Sequence, residues 1–325
     1  MTSVHANGRG LRGPQCPTTA DIPALNRLFS DAFTDRYRKD GLTGAQVPQL
    51  KPIIWQYALR DADDGAMVWF DDRGQLVAFN IAHQSGVEGW MGPLAVRADR
   101  QSSGIGRMIV LTAIDWLRSR GARAVGLETM PRTVDNIGFY SGLGFLPGHL
   151  TVTMTVDCER KKVRGSPVCL GDLPEETRRE LWQRCRARLE QSAPGYDYTR
   201  EFDLTLELAI GDVVVLERDG VVTGFAVWHS VPLTDGRPSD ELRVLKVFAD
   251  SAHTFDRLVT AIEQCAVDLG ILRVSIRCQT AYADAYGSLL RRRYRVRWTD
   301  LRMTLRDHPE TKLAGEEVLF SNWEI

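Results

Sequence analysis

Gly92-Pro93-Leu94-Ala95-Val96-Arg97-Ala98-Asp99-Arg100-Gln101-Ser102-Ser103-Gly104-Ile105-Gly106-Arg107 is the stretch on which the reading of this chain turns. Its first part ends a strand predicted over Val87 to Arg97. Its last part opens a helix predicted over Gly104 to Arg120, whose apolar residues Ile105, Met108, Ile109, Ala113, Trp116 and Leu117 recur at helical spacing. Gly104 and Gly106 carry no β-carbon, so the backbone can turn sharply there and a ligand can approach it closely. The first turn of a helix leaves N–H donors unpaired at the positive end of its dipole, and such a turn can hold a pyrophosphate without a basic side chain. Two glycines before a helix also suit an ordinary tight loop, and the loop alone leaves both readings open.

Around this stretch the first half reads as strand, helices, strands, helix, strand, helix, strand. Asp21 caps a helix with Pro23 in its first turn, and Leu25, Leu28, Phe29, Ala32 and Phe33 follow at helical spacing. A second helix is predicted over Pro48 to Arg60. Met67 to Phe70 and Leu76 to His83 form a hairpin across Asp71-Asp72-Arg73-Gly74. After the central helix come a strand (Arg123 to Met130), a short helix (Thr133 to Leu143) and a strand (Leu150 to Val156). The same order returns beyond the charged connector Glu159-Arg160-Lys161-Lys162-Val163-Arg164. It begins with a helix over 172–190 and a hairpin, Val213 to Leu216 with Val221 to His229, across Asp219-Gly220. Gly74 and Gly220, Phe79 and Phe225, His83 and His229, Tyr140 and Tyr286, and Leu143 and Leu289 are all 146 positions apart. One offset at both ends marks an internal duplication at domain scale.

Composition narrows the alternatives. The 325 residues, 43% apolar and 26% charged, suit two domains with full cores. A formal net charge of −1 supplies no field to draw the chain to nucleic acid or to an anionic membrane. No apolar run approaches a membrane span, and the first fifteen residues hold no signal-peptide core, so a cytoplasmic protein is expected. Cysteines at 16, 158, 169, 185, 265 and 278, and histidines at 5, 83, 149, 229, 253 and 308, form no metal-binding or disulfide pattern. No metal is expected.

About thirty residues beyond the glycine loop stands Asn136-Ile137-Gly138-Phe139-Tyr140-Ser141-Gly142-Leu143-Gly144-Phe145. Gln101-x-x-Gly104-x-Gly106 resembles the Q/R-x-x-G-x-G/A loop of the GNAT N-acetyltransferase superfamily, and Asn136 to Phe145 resembles its N-x-x-x-x-Y-x-x-x-G-F block. Either motif alone is weak. Together they stand in the family's order and separation, on its strand–helix–strand–helix frame. The resemblance is clearest over residues 11–157 and continues in outline to about residue 306.

The resemblance implies an α/β (α+β) fold of two tandem GNAT-type domains, each a mixed, mostly antiparallel sheet flanked by helices. Residues 1–160 form the acyl-CoA-binding catalytic domain and residues 161–325 a degenerate copy. It further implies acetyl-CoA as cosubstrate in a cleft where two strands splay, with its pantetheine arm along Leu94, Ala95 and Val96. Its pyrophosphate lies on Gln101, Ser102, Ser103, Gly104, Ile105, Gly106 and Arg107, and Asn136 and Tyr140 stand close by. An amine attacks the thioester directly. A backbone N–H near Ala95 or Val96 steadies the oxyanion, and Tyr140 protonates the leaving thiolate. The family's usual glutamate position holds Trp90; Glu88 on the same strand face is the candidate base, with Glu128 and His83 as further candidates.

The second half reads Asp250-Ser251-Ala252-His253-Thr254-Phe255-Asp256-Arg257 at the loop position, with no glycine pair and with carboxylates that repel phosphate. Its open roles are to shape the pocket, to complete the sheet or to mediate a homodimer. Arg291, Arg292, Arg293, Arg295 and Arg297 crowd around Tyr294. They are read either as a solvated strand face or as a contact to an anionic substrate. The expected reaction is acetyl transfer to an amine, foremost of a small molecule. A protein lysine or N-terminal acetyltransferase and a non-catalytic acyl-CoA sensor are the alternatives.

Overall fold

The computed structural model describes residues 6–7, 10–158 and 167–323; the connector and the boundary between residues 160 and 161 lie outside the described residues. In the first half the elements are β1 (Ala6–Asn7), β2 (Leu11–Gln15), α1 (Ile22–Lys39), α2 (Pro52–Ala62), β3 (Ala66–Asp71), β4 (Leu76–Ser85), β5 (Glu88–Val96), α3 (Ile105–Ser119), β6 (Ala124–Thr129), α4 (Val134–Ser141) and β7 (Phe145–Asp157). The second half holds β8 (Val168–Cys169), α5 (Glu175–Ser192), α6 (Thr199–Glu207), β9 (Gly211–Arg218), β10 (Val221–His229), β11 (Glu241–Ala249), α7 (Ala252–Asp268), β12 (Arg273–Gln279), α8 (Ala283–Arg291), β13 (Arg295–Leu305) and β14 (Val318–Ser321).

Local chemistry sets most boundaries. Thr18 and Asp21 form a reciprocal capping box on a short 3-10 turn that leads into α1, so Asp21 acts at its neighbour's cap, and α1 starts without a side-chain cap of its own. The second helix starts at Pro52, four residues beyond the expected Pro48. Asn26, Ser30 and Thr34, one polar stripe of α1, bond the backbone of Val47 and Leu50 and hold that segment extended. At the second hairpin Asp219 and Gly220 both adopt positive φ, as a two-residue turn that follows the strand twist requires. Helix α6 and strand β14 carry no strong sequence signal and were not anticipated.

Thirteen of the strands follow the order β1-β2-β3-β4-β5-β6-β13-β7-β12-β11-β10-β9-β8, and β14 pairs with β11 off that path. Two neighbouring pairs, β5 with β6 and β11 with β12, run parallel. The halves are joined by exchange. Strand β13, from the end of the chain, lies between β6 and β7, with Arg302 opposite Glu128 and Thr299 opposite Val152. Strand β7 in turn lies between β13 and β12. Each half's long final strand therefore sits inside the other half's sheet. Helix α3 packs on the first half with Ile109, Val110, Ala113 and Leu117 fully buried against Met67, Ala78 and Met91. A separate cluster around Leu25, Trp55 and Phe79 joins α1 and α2 to the sheet. Tyr57, Leu204 and Ile210 pack where α2 meets α6 across the halves.

Candidate active site

Strands β5 and β6 pair over Glu88–Trp90 against Ala124–Gly126, and then part. Beyond that point β5 stays with β4, through a register shift opposite Gly92 and Pro93, while β6 turns to β13. The result is a fork with Met91–Val96 on one wall and Leu127–Thr129 on the other, so that one edge of Leu94, Ala95 and Val96 faces an opening where an extended ligand can lie as an added strand does.

At the mouth of this fork the glycine loop enters α3. Ser102 and Gly104 both take positive φ, 59° and 80°, and no side chain caps the helix that follows. The first-turn amides of Ile105, Gly106 and Arg107 are left for a ligand. A β-carbon on Gly106 would meet only the ring edge of Phe139 at 3.5 Å, ordinary contact distance, so the protein itself does not require glycine there. Gln101 reaches back to the Val96 carbonyl at 3.1 Å and takes a bond from Lys39 at 3.3 Å, pinning the loop to the end of β5. Ser103 donates to the Arg100 carbonyl at 2.6 Å. Asp99 is held below the usual carboxylate range by its hydrogen bond and ion pair with Arg97. An uncapped helix start beside left-handed glycine backbone fits a diphosphate.

Helix α4 closes the other side. Asn136 donates to Thr129 at 3.3 Å at the tip of β6. Tyr140 is buried among Phe139, Phe145 and the α3 face, and burial alone raises its phenol well above the ordinary value. Its hydroxyl makes no hydrogen bond to another described residue.

The candidate bases are placed differently. Glu88 is 1% exposed; Trp323 Nε1 donates to its Oε1 at 3.0 Å, and Ser321 at 2.6 Å and Tyr198 at 3.2 Å donate to its Oε2, with Lys246 Nζ 3.8 Å away. A general base needs a lone pair turned to the amine or to a water beside it. Both Glu88 oxygens face protein donors, all of them from the second half, so Glu88 braces the two halves and does not reach an amine directly. Glu128 is likewise engaged by Arg277, Arg302 and Thr151. Burial alone would raise its carboxyl, but the two guanidiniums outweigh that and hold it low. His83 stacks on Trp90 with ring centroids 3.9 Å apart, bonds Asp61 through Nδ1 at 2.5 Å, and has no partner at Nε2 among the described residues.

Sequence reasoning passed over Trp323. Gly126, the last paired residue of β6, leaves room for it: a β-carbon there would lie 2.2 Å from the Trp323 ring. Arg302 stacks over the same ring at 3.5 Å. The available signal was a glycine inside a strand that reads as central, which marks a close approach.

The equivalent fork of the second half is filled. Strands β11 and β12 pair from Glu241–Arg273 to Val244–Ile276. Past that point β14 lies along β11, Lys246 opposite Ser321 and Ala249 opposite Val318, where the first half leaves an opening. Ser251 caps α7 by accepting from the Thr254 amide at 3.2 Å, and Asp250 stands beside it. The arginine cluster lies elsewhere. Arg295 is six residues along β13 from Leu301, which pairs with Thr129 on the wall of the fork; at about 3.3 Å per residue this is roughly 20 Å. The cluster therefore lies outside the fork itself.

Residues 23–145 match the acetyltransferase (GNAT) family. No curated protein matches the sequence. Among solved structures, the fold is similar to a putative acetyltransferase from Pyrococcus horikoshii, at 17% identity and TM-score 0.66 over 95% of each chain. It is also similar to a GCN5-related N-acetyltransferase from Sphaerobacter thermophilus, at 13% identity and TM-score 0.59 over 94% of this chain and 98% of that one. Saccharomyces cerevisiae N-myristoyltransferase, solved with bound myristoyl-CoA and inhibitors, superposes at 11% identity and TM-score 0.61 over 94% of this chain and 82% of its own. At these identities the likeness is one of fold. Among the described residues, no helix is long and apolar enough to cross a membrane.

Proposed function

With residues 23–145 carrying the pattern of the acetyltransferase (GNAT) family, we propose that this protein is an N-acetyltransferase that moves an acetyl group from acetyl-CoA to the amine of a small molecule. The observation that carries the reading is the uncapped start of α3, with Gly104 in left-handed backbone, at the mouth of the β5–β6 fork. Amides of Gln101 to Arg107 bind the diphosphate of the donor, and the edge of Leu94 to Val96 orients its arm. A backbone N–H near Ala95 or Val96 faces the carbonyl oxygen as charge develops there, a contribution of about 3–4 kcal/mol. Tyr140, kept protonated by its burial, gives its proton to the departing sulfur. Nothing in this reading asks Glu88 to touch the amine. A bound water or His83 Nε2 is the route left for the amine's proton.

The second half is a silent copy: its helix start is capped and its fork is occupied by β14. The second half's Trp323, packed against Gly126 where the fork begins, supports a small acceptor over a protein one. The test is a panel of amines incubated with acetyl-CoA, followed by release of free thiol. Turnover with a small amine is expected. Donor binding with no turnover on any amine or peptide would leave only a sensor.

A further inference from the structure

On the face of the sheet that carries α7, a groove of about 600 Å³ opens between α7, the end of β7 and the start of β13. Arg292, Arg293, Arg295 and Arg297 line it. Two carboxylates are also present and both are committed: Glu263 takes Arg292 at 2.7 Å and the Tyr294 hydroxyl at 3.2 Å, and Asp157 takes Arg273 at 3.1 Å. Among the described residues, no carboxylate pairs with Arg293, Arg295 or Arg297. These three cations line one groove with no carboxylate of the described residues paired to them.

The backbone contributes to that arrangement. A register shift between Val296 and Trp298 leaves Arg297 as the extra residue of β13, and a bulge of this kind re-aims a side chain. Arg297 lines the same groove as Arg295, and its Nε donates to Thr155 at 3.0 Å, while its two terminal nitrogens bond no other described residue. Arg293 takes a φ of 66° as the left-handed residue that ends α8, its amide bonding the Leu290 carbonyl and that of Tyr294 the Leu289 carbonyl, and this turn sets it at the rim of the groove. Guanidinium groups in a fork geometry match phosphate oxygens in pairs.

We infer that this groove is a second ligand site, distinct from the acetyl-transfer cleft, and that it takes a small molecule carrying two or more linked phosphates. The size follows from the spacing. Arg295 and Arg297 are two strand positions apart, roughly 6–7 Å, with Arg293 beyond them, more than a single phosphate spans. The volume is in the range of small-molecule pockets. About 20 Å of strand separates Arg295 from Leu301, which pairs with Thr129 on the wall of the fork, so the groove is a place apart from that opening.

The test uses the full chain and isothermal titration with pyrophosphate and ADP at fixed ionic strength. Because the loop at Gly104 is a competing diphosphate site, the titration is repeated in Gly104→Val. Saturable binding that survives Gly104→Val and weakens at least tenfold in Arg295→Gln/Arg297→Gln is expected. Arg178→Gln/Arg179→Gln, which removes the same charge from exposed α5, should leave it unchanged. Binding that disappears with Gly104→Val, that is unaffected by the Arg295/Arg297 pair, or that falls equally in the α5 control overturns the inference, as does no binding at all.

Discussion

Tyr140 carries a hydroxyl that burial keeps protonated and that no described neighbour claims, so its loss should be felt in chemistry and hardly in folding. Tyr140→Phe is expected to lower kcat by 10²–10⁴-fold, the usual worth of a placed acid, with little change in KM for acetyl-CoA or in Tm. Steady-state kinetics beside a thermal melt would check it; equal losses in both would make the residue a packing group. Glu88 should behave in the opposite way. Removing one member of a buried charged network costs about 3–5 kcal/mol, so Glu88→Ala should lower stability sharply, as a denaturant titration would show. Glu201 supplies a pH effect. Burial, then the Asp61 charge, raises its carboxyl to about 7, against about 4.3 in an unfolded chain. The folded state then holds the proton more tightly, so the stability it confers in acid is lost as pH rises from about 4.3 through 7. Melting temperature measured across that window should fall for the native chain and fall less for Glu201→Gln. Tyr140 and the loop glycines could be read from sequence because their motifs are local. The surroundings of Glu88 could not, since Tyr198, Ser321 and Trp323 reach it from more than 100 residues away.

Helix α3 and its counterpart α7 share an apolar stripe and differ at their first turns, and the difference can be tested. Gly106→Val should weaken acetyl-CoA binding at least tenfold while leaving the fold intact, because the added atoms enter space that only Phe139 borders. Thr254→Val at the capped start of α7 should leave binding unchanged; equilibrium dialysis with labelled donor would show either result. The hairpins, both central helices and the strand that bears the fork could be read from periodicity and turn residues. Two features escaped for physical reasons. The start of α2 is displaced because side chains on α1 satisfy the backbone of 47–50 before a helix can. Strand β14 is four residues long and derives its structure from the edge of β11, a contact no local pattern announces.

The molecule as a whole has an approximate twofold plan, with β7 and β13 side by side at its centre and the same series of elements running outward on both sides. The repeated offset of 146 made the plan legible in the sequence. The sequence could not show that the final strands cross over, because an exchanged and an unexchanged pair have the same spacing and apolar pattern. Since β13 is bonded to both β6 and β7, heat or denaturant should unfold the chain in one transition, with coincident near- and far-ultraviolet signals. Two separated steps would show that the halves melt independently. The crossing also has a meaning in time. A ribosome delivers residues 6–158 first, but β6 lacks its partner until residues 295–305 have emerged. At 5–20 residues per second, the nascent front portion waits with a bare strand edge for roughly ten to thirty seconds. During synthesis that edge is where a chaperone would bind, and where a second nascent chain could pair by mistake.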